Sequence, residues 1–558
     1  MFNWLKKNAV TEKVAPEPDV TAIQSGDSTT LSAISESEML KNQGNAHLSN
    51  GKLEDAAECY RRAIARNPRY AEAYSNLGYV FEAQGNLEEA VAHYRKAIEF
   101  NPNLLPAHQN LGFALLNLGQ RDAAEESLRR VIALTPEHTT ALQSLGVIAA
   151  QRGDFLQAET LLRHAIELQP DYVDAHNNLG NLLMEAKRLP EAEAFYRRAL
   201  ELQPDNASAH YNLGNLLMKA NRLPEAEASY RHALELKPDY AGALYNLGLL
   251  LLSLGRYAEA WPYYEHRYDP NLEEPICKIP TLSYPQWQGE PLAGKSLVIL
   301  CEQGFGDHIQ FARYAQLLKQ SGVSRLTFLC APPLKALLET MAGVDAIITE
   351  LLPTTPYDYW SFPLSLPFHF GTTLDTIPAT LPYLNSLPTR VAQWRGRLPM
   401  GKLKVGLVWK GNVNHKNDAN RSLPGLHTLA PLWSVPGVNF VSLQKWQGEN
   451  EAKNPPVDQS ILHLGTDIGD FADTAAIVSQ LDIVICVDTA IAHLAGAMGK
   501  PCWVLLPAFD TDWRWLRERE DSPWYASMRL FRQQDSGDWD RPVERIRQAL
   551  FSIAHAGS

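Results

Sequence analysis

Residues 482–501 read DIVICVDTAIAHLAGAMGKP. The first part, 482–487, is a short β-branched run, the signature of a buried strand. Asp488 and Thr489 end it with polar atoms. Residues 490–498 are small and apolar and predict a helix, stopped at Gly499 and barred from continuing by Lys500-Pro501. A strand that runs straight into a small-residue helix aims backbone N–H groups at whatever lies beyond the strand's end. The helix dipole adds about half a positive charge at that point. His493, one turn in, faces the same place. Two readings stand for the stretch alone: a phosphate-binding helix start, with Thr489, Ala490 and His493 on the anion, or an ordinary β–α unit of a parallel sheet. Asp488, at the strand end, fits a structural or ribose-side role.

The surrounding chain has the same rhythm. CWVLLP at 502–507 predicts the next strand, and KVGLVWKGN (404–412), VNFVSLQ (438–444) and ILHLG precede the stretch. Further upstream, KSLVILCEQ at 295–303 is a strand that ends in Gly304-Phe305-Gly306-Asp307. The amphipathic helix HIQFARYAQLLKQSG follows, then RLTFLCA (strand), PLKALLETMAG (helix) and AIITEL (strand). Alternating strands and helices predict parallel, doubly wound α/β sheets. We expect two in tandem, a small one over 295–395 and a second over 396–558. Residues 352–400 are Pro-rich and unassigned, with aromatics suited to lining a cleft. The tail carries Trp513, Trp515, Trp524 and Trp539, then a final helix near 543–553.

Such sheets bind ligands in the loops beyond the carboxyl ends of their strands. On the first loop, Gly304 and Gly306 permit close approach, and Asp307 and His308 are the ionisable groups. Asp307 also reads as the cap of the next helix, which does not exclude catalysis. The loop after 404–408 offers Lys410, Gly411 and Asn412, then VNHKNDANRSLP with Lys416 and Arg421. Gln444, at another strand end, reads either as a nucleobase contact or as a buried edge amide.

The N-terminal half has a different period. Gly44, Gly78, Gly112, Gly146, Gly180, Gly214 and Gly248 are 34 residues apart, and so are the prolines from Pro68 to Pro238. Ala56, Ala90, Ala124, Ala158, Ala192, Ala226 and Ala260 hold a third position. Tyr60, Tyr94, Tyr196, Tyr230 and Tyr264 hold a fourth, with Leu128 and Leu162 substituting. This is the two-helix tetratricopeptide pattern. Seven units over 37–270 predict an all-α solenoid with a concave face. The last unit departs from the pattern at Trp261-Pro262 and Arg267, as expected where an array meets another domain. Two residues before the glycines lie Asn42, Asn76, Asn110, Ser144, Asn178, Asn212 and Asn246. A recurring carboxamide, donor and acceptor together, suits an extended peptide's backbone. It equally suits bonds between neighbouring repeats. Residues 1–36 are expected to be a disordered leader, and the Pro-rich 271–294 an extended linker.

Composition excludes several classes. A net charge of −12 and no dense basic patch argue against nucleic-acid binding. No apolar run is long enough to span a membrane, and the start lacks a secretory signal. The scattered cysteines, with no CxxC pair, read as reduced thiols in the cytoplasm.

The two tandem sheets resemble a GT-B glycosyltransferase. GFGD after the first strand and VDTAIAHLAGAMGKP in the second sheet are similar to the heptosyltransferase-like family. The solenoid resembles that of protein O-GlcNAc transferase and its bacterial relatives, flagellin-modifying enzymes included. The resemblance implies transfer of a sugar from a nucleotide-sugar co-substrate to Ser or Thr of a protein acceptor held by the solenoid. Asp307 is then the base and His308 its substitute. The diphosphate lies on Thr489, Ala490 and His493, with Lys410, Lys416 and Arg421 competing for the cationic role. No metal or other cofactor is required. Asp510-Thr511-Asp512 forms a DxD, but in the wrong context for a metal site. The basic residues occupy a longer loop than the family's pattern. A non-catalytic adaptor and an enzyme acting on a glycan or lipid carrier are the alternative readings.

Overall fold

A computed structural model describes residues 28–272, 274–352 and 356–556. They form two compact units. One holds the repeat helices through Ala220 together with Glu235–Pro238; the other holds Asn221–Leu234 and everything from Asp239 onward. The tetratricopeptide period therefore does not end where the second unit begins. The last helices of the array, Leu223–Leu236 in large part, Ala241–Ser253 and Tyr257–Tyr264, belong with the α/β part. The first helix, Ser28–Ser49, starts inside the stretch expected to be a disordered leader. The remainder of that leader lies outside the described residues.

Within the first unit, helices of thirteen or fourteen residues pair as the period predicts, from Leu53–Arg66 to Ala207–Lys219. The recurring alanines from Ala56 to Ala192 are completely buried. The recurring glycines sit against the recurring aromatic. A Cβ on Gly180 would stand 2.6 Å from the Tyr196 ring, and one on Gly112 would stand 2.8 Å from Leu128. The residue that replaces tyrosine in two repeats thus fills the same gap. Pro190 lies in the first turn of Leu189–Leu202, where its missing N–H breaks no helical bond. Arg188 bonds Glu159 across a repeat boundary at 2.7 Å, and Arg163 bonds Glu159 at 2.8 Å.

The second unit contains two wholly parallel sheets. The first has strands β1 (Ser296–Ile299), β2 (Arg325–Leu329), β3 (Ala346–Ile348) and β4 (Tyr359–Ser361), in the order β3-β2-β1-β4. The second has β5 (Leu403–Val408), β6 (Val438–Ser442), β7 (Leu462–His463), β8 (Ile483–Val487), β9 (Cys502–Leu506) and β10 (Met528–Arg532), in the order β10-β9-β8-β5-β6-β7. Every residue of β8 and β9 is buried, as covering both faces of a parallel sheet requires. The final helix, Asp540–Ala556, buries Val543, Ile546 and Leu550 in the same core as Ile485 and Leu505.

Sequence reading misses β4 and β10. β4 has three residues in a Pro-rich context, and pairing with β1 (Val298 opposite Trp360) makes it a strand. The sequence boundary at 395 assigns the helix Pro388–Arg395 to the first sheet. It bonds instead to the helix Phe471–Ser479 of the second, through Arg390 (3.0 Å) and Trp394 (3.1 Å) to Asp473.

The irregular end of the array has a cause in packing. Arg267 is fully buried and bonds Glu302 (2.5 Å), Glu265 (2.5 Å) and Ser365 (2.8 Å). Trp261 donates to the Thr372 carbonyl at 2.7 Å, and Trp524 donates to Tyr257 at 3.0 Å. Tyr257, Trp261, Trp513 and Trp524 form one aromatic cluster.

Candidate functional site

Strand order changes direction between β1 and β4 in the first sheet and between β5 and β8 in the second. Loops that leave neighbouring strands there diverge and open a crevice beyond their carboxyl ends. The glycine loop follows β1, and the 482–501 stretch supplies β8 and its helix, Ala490–Ala497. The two touch. A Cβ on Gly306 would lie 2.7 Å from the His493 ring and 3.6 Å from Ala490 Cα. Gly306 is therefore required for the close contact between the two loops, not for a turn, since it lies within the helix Phe305–Phe311.

Gly304 begins the helix Phe305–Phe311, and its N–H donates to Asp307 Oδ2 at 2.8 Å. The capping role of Asp307 is thus present. Its other oxygen accepts from Arg514 Nη2, which comes from the 3₁₀ turn Trp513–Trp515 after β9. Arg514 is 5% exposed and Asp307 15%. The same guanidinium donates to Gln310 Oε1 at 2.6 Å and to both Asp512 oxygens at 3.0 and 2.8 Å. Burial raises the Asp307 carboxyl above its ordinary range against the pull of Arg514. Burial works to raise Asp512 too, but Arg514 outweighs it and holds that carboxyl low.

Asp488 directly follows β8 at the end of the second sheet and interacts with Asp512, Arg421 and Arg514. Burial, then the charge of Asp512, pushes its carboxyl up to about 6, against the pull of Arg421 and the nearby Trp515 indole. Arg421 is 14% exposed, with Nε 3.6 Å from Asp418 Oδ1. A Cβ at Gly411 would stand 2.6 Å from Asp418 Oδ1 and 3.0 Å from Arg421 Nη2, so a larger residue there would have to displace the Asp418–Arg421 pair. Gly411 N–H donates to Ser422 Oγ (2.8 Å), which donates to Asp418 (2.8 Å).

Two polar atoms around this junction, Thr489 Oγ1 and Gln310 Nε2, are buried and close no hydrogen bond among the described residues, while the buried Arg421 Nε and Trp515 Nε1 lie against the carboxylates of Asp418 and Asp488. The first two each carry a hydrogen to donate. Buried donors are normally paired, and leaving one unpaired costs about 1–3 kcal/mol. The group missing from such a pair is an acceptor. His493 completes the wall, stacked 5.3 Å from Trp515, with Nδ1 3.1 Å from the Tyr525 hydroxyl. Burial, then Arg514, drives its imidazole down to about 3, so it faces the junction uncharged.

Several expected site residues have other duties. Gln444 is buried, and its amide is fully occupied by backbone. Oε1 accepts from Trp409 N (2.9 Å) and Lys410 N (3.0 Å), while Nε2 donates to Lys410 O (3.1 Å) and Gln447 O (2.7 Å). It is the buried edge amide and not a nucleobase contact. Lys410 Nζ donates to the Pro424 carbonyl at 2.7 Å. Lys416 is 86% exposed and paired with Glu274. Asn412 is exposed, its side chain accepting from Asn414 N at 3.0 Å in a local turn. His308 is no reserve base: its buried Nε2 accepts from Glu302 N at 3.2 Å, and burial drives it down to about 4. In the DxD, Asp512 pairs with Arg514. Among the described residues no group of three or more His, Cys, Asp or Glu is arranged to hold a metal ion. Sequence reasoning missed Arg514, Gln310 and Trp515. Only the clustered tail tryptophans hinted at a buried element there.

The asparagines of the solenoid do not form one exposed row. Asn42 is exposed and Asn246 half-buried. Asn76 donates to Asn45 at 3.0 Å and Asn212 to Asn177 at 3.1 Å, so these two tie neighbouring repeats. Asn178 is completely buried, and neither of its amide atoms has a partner among the described residues. The same holds for Asn110 Oδ1, Gln143 Nε2 and Asn181 Nδ2. No helix among the described residues is long and apolar enough to cross a membrane.

Comparison with known proteins identifies the repeats. The family model for the cilia and flagella-associated protein 70 C-terminal domain matches residues 6–246, and a tetratricopeptide repeat model matches residues 241–266. The chain is similar to Protein FlbA of Caulobacter vibrioides, 29% identical over 314 residues, which are 52% of this chain and 51% of FlbA. It thus spans about half the length of that curated relative. Among solved structures, YrrB, described as a TPR protein with an unusual peptide-binding site, is 24% identical. The match covers 34% of this chain and 98% of YrrB, with a TM-score of 0.29. A thermophilic TPR protein of Thermus thermophilus is 26% identical over 33% of this chain and 99% of its own, TM-score 0.29. A tetratricopeptide repeat protein of Parabacteroides merdae is 20% identical over 41% and 91%, TM-score 0.37. The chain is a tetratricopeptide-repeat protein with a C-terminal α/β region.

Proposed function

We propose that the α/β region is a metal-independent GT-B glycosyltransferase that moves a sugar from a nucleotide-sugar donor to a Ser or Thr hydroxyl of a protein acceptor engaged by the repeats. The observation that carries this reading is the pair of buried donors, Thr489 Oγ1 and Gln310 Nε2, with no hydrogen-bond partner among the described residues where the glycine loop meets the helix Ala490–Ala497. A diphosphate offers several acceptor oxygens and answers them together. The helix Ala490–Ala497 adds its N-terminal N–H groups. In the reaction, Asp307 accepts the proton of the acceptor hydroxyl as that oxygen bonds the anomeric carbon. The bond from that carbon to the diphosphate breaks, and its electron pair leaves on the diphosphate. Thr489, Arg421 and the helix N-terminus receive the developing charge, which makes fixed protein groups sufficient for leaving-group stabilisation.

Engagement of the acceptor by the repeats draws on the amide of Asn178 and on single unpaired amide atoms of Asn110, Gln143 and Asn181, whose natural partner is a peptide backbone. One observation favours a second reading, a GT-B scaffold without turnover: both oxygens of Asp307 are already bonded. Thermal shift of the full chain with UDP-, GDP-, ADP- and CMP-sugars separates the two. One donor class should raise the melting temperature with the logarithm of its concentration. Asp307→Ala should then abolish donor turnover while the protein stays folded. Binding of none of them by the folded protein refutes the glycosyltransferase reading.

A further inference from the structure

A general base must be free to take a proton, and Asp307 is held by a guanidinium. The surroundings make the conflict sharper. Asp307, Asp512, Asp488 and Asp418 gather around Arg514 and Arg421, so carboxylates outnumber cations in the shell a diphosphate would enter. Such a ligand needs a cation whose present partner can let go. The two carboxylates on Arg514 are not held alike. Asp512 lies two residues away on the same turn and accepts three times from Arg514, twice from Nη1 and once from its backbone N–H at 2.9 Å. Asp307 comes from the other sheet and has only the Nη2 contact. The remaining Arg514 bond, from Nε, goes to Gln310, whose Nε2 is one of the unpaired donors. Gly306, next to Asp307, touches Ala490, the first residue of the helix that would receive the phosphates.

Resting on the glycosyltransferase reading, we propose that a diphosphate at the N-terminus of Ala490–Ala497 takes the Arg514 Nη2 contact from Asp307. Donor binding and release of the base are then a single event. Arg514 stays anchored by Asp512 and Gln310, and its rigid guanidinium keeps the Nη2 N–H in place while the acceptor on it changes. Asp307 keeps its bond from Gly304 N–H and regains a free oxygen for the acceptor hydroxyl. Without a donor, the carboxylate remains neutralised by Arg514.

The test is isothermal titration of the full chain with UDP, GDP and ADP, using wild type, Asp307→Asn, Arg514→Gln and the double variant, with circular dichroism melts to check folding. Asp307 competes with the ligand for Arg514. Asp307→Asn should therefore tighten binding of the nucleoside diphosphate that wild type accepts, by about tenfold, the worth of one charge-assisted hydrogen bond. Arg514→Gln should weaken binding, and Asp307→Asn should add nothing in that background. Unchanged or weaker binding by Asp307→Asn overturns the proposal. Equal tightening with and without Arg514 also overturns it, because that outcome is plain charge repulsion. Should Arg514→Gln not fold, Arg514→Lys keeps the cation without the fork and should halve or abolish the gain from Asp307→Asn. Wild type that binds none of the three refutes the underlying glycosyltransferase reading instead.

Discussion

Replacing Arg267 with methionine should destabilise the second unit severely and leave the repeats of the first alone. The guanidinium is fully buried and neutralises Glu302, itself fully buried, at 2.5 and 3.3 Å, and Glu265 at 2.5 Å, besides donating to Ser365. Methionine fills most of the volume but leaves the Glu302 carboxylate buried, with Cys277 Sγ at 3.6 Å as its remaining side-chain donor among the described residues. Breaking a buried pair on one side costs about 3–5 kcal/mol. At a urea slope of about 2–3 kcal/mol/M, the unfolding midpoint should fall by roughly 1–2 M. The assay is selective, because every tryptophan except Trp4 lies at or beyond Trp261. Tryptophan fluorescence therefore follows the second unit, while far-UV circular dichroism is dominated by the repeats. Adding Glu302→Gln removes the stranded charge and should restore about 2 kcal/mol, a coupling expected of residues in direct contact. A loss below about 1 kcal/mol, or a double variant no more stable than Arg267→Met, would refute the assignment of Arg267 as the neutralising centre of this core.

Other outcomes follow from the same structure. His308 and His493 are buried uncharged, at about 4 and about 3 against an ordinary 6.5, so each contributes stability that is complete above about pH 6.5 and is lost as pH falls toward the folded value. Compared with His308→Gln or His493→Gln, wild type should lose about 1.4 kcal/mol per pH unit between about pH 6 and 4; a flat difference contradicts the burial of a neutral imidazole. Gly180→Ala should destabilise the repeats by about 1–3 kcal/mol, read from circular dichroism melts, because the new methyl meets the Tyr196 ring at 2.6 Å. Gln444→Leu should cost about 2–4 kcal/mol in fluorescence-detected unfolding by stranding Trp409, Lys410 and Gln447 backbone groups. Selective loss of nucleotide binding without loss of stability would instead return Gln444 to the ligand. Arg188→Ala should leave the melting temperature of the repeats almost unchanged, and less changed again in high salt, since its pairs with Glu159 and Glu191 are solvent-exposed and screened.

The sequence by itself determined what depends on spacing. A 34-residue period states that the same packing recurs, so the glycine–tyrosine and alanine contacts, and even the leucine substitutions, were legible before any coordinate. Alternating strands and helices likewise declared two parallel sheets, and the glycine loop and residues 482–501 were marked as strand ends. Tertiary structure alone decided which polar groups are free. A carboxamide such as Gln444 or Asn76 looks the same in sequence whether it faces a ligand or a neighbouring backbone, because its partner arrives from a distant segment. Arg514 was unreadable for the same reason: its acid partner Asp307 is over two hundred residues away. β4 and β10 needed their neighbours to become strands, and Arg267 needed Glu302 to explain a departure from the repeat. Periodicity is local and survives in one dimension; pairing of charge and hydrogen bonds is set by proximity, which only folding creates.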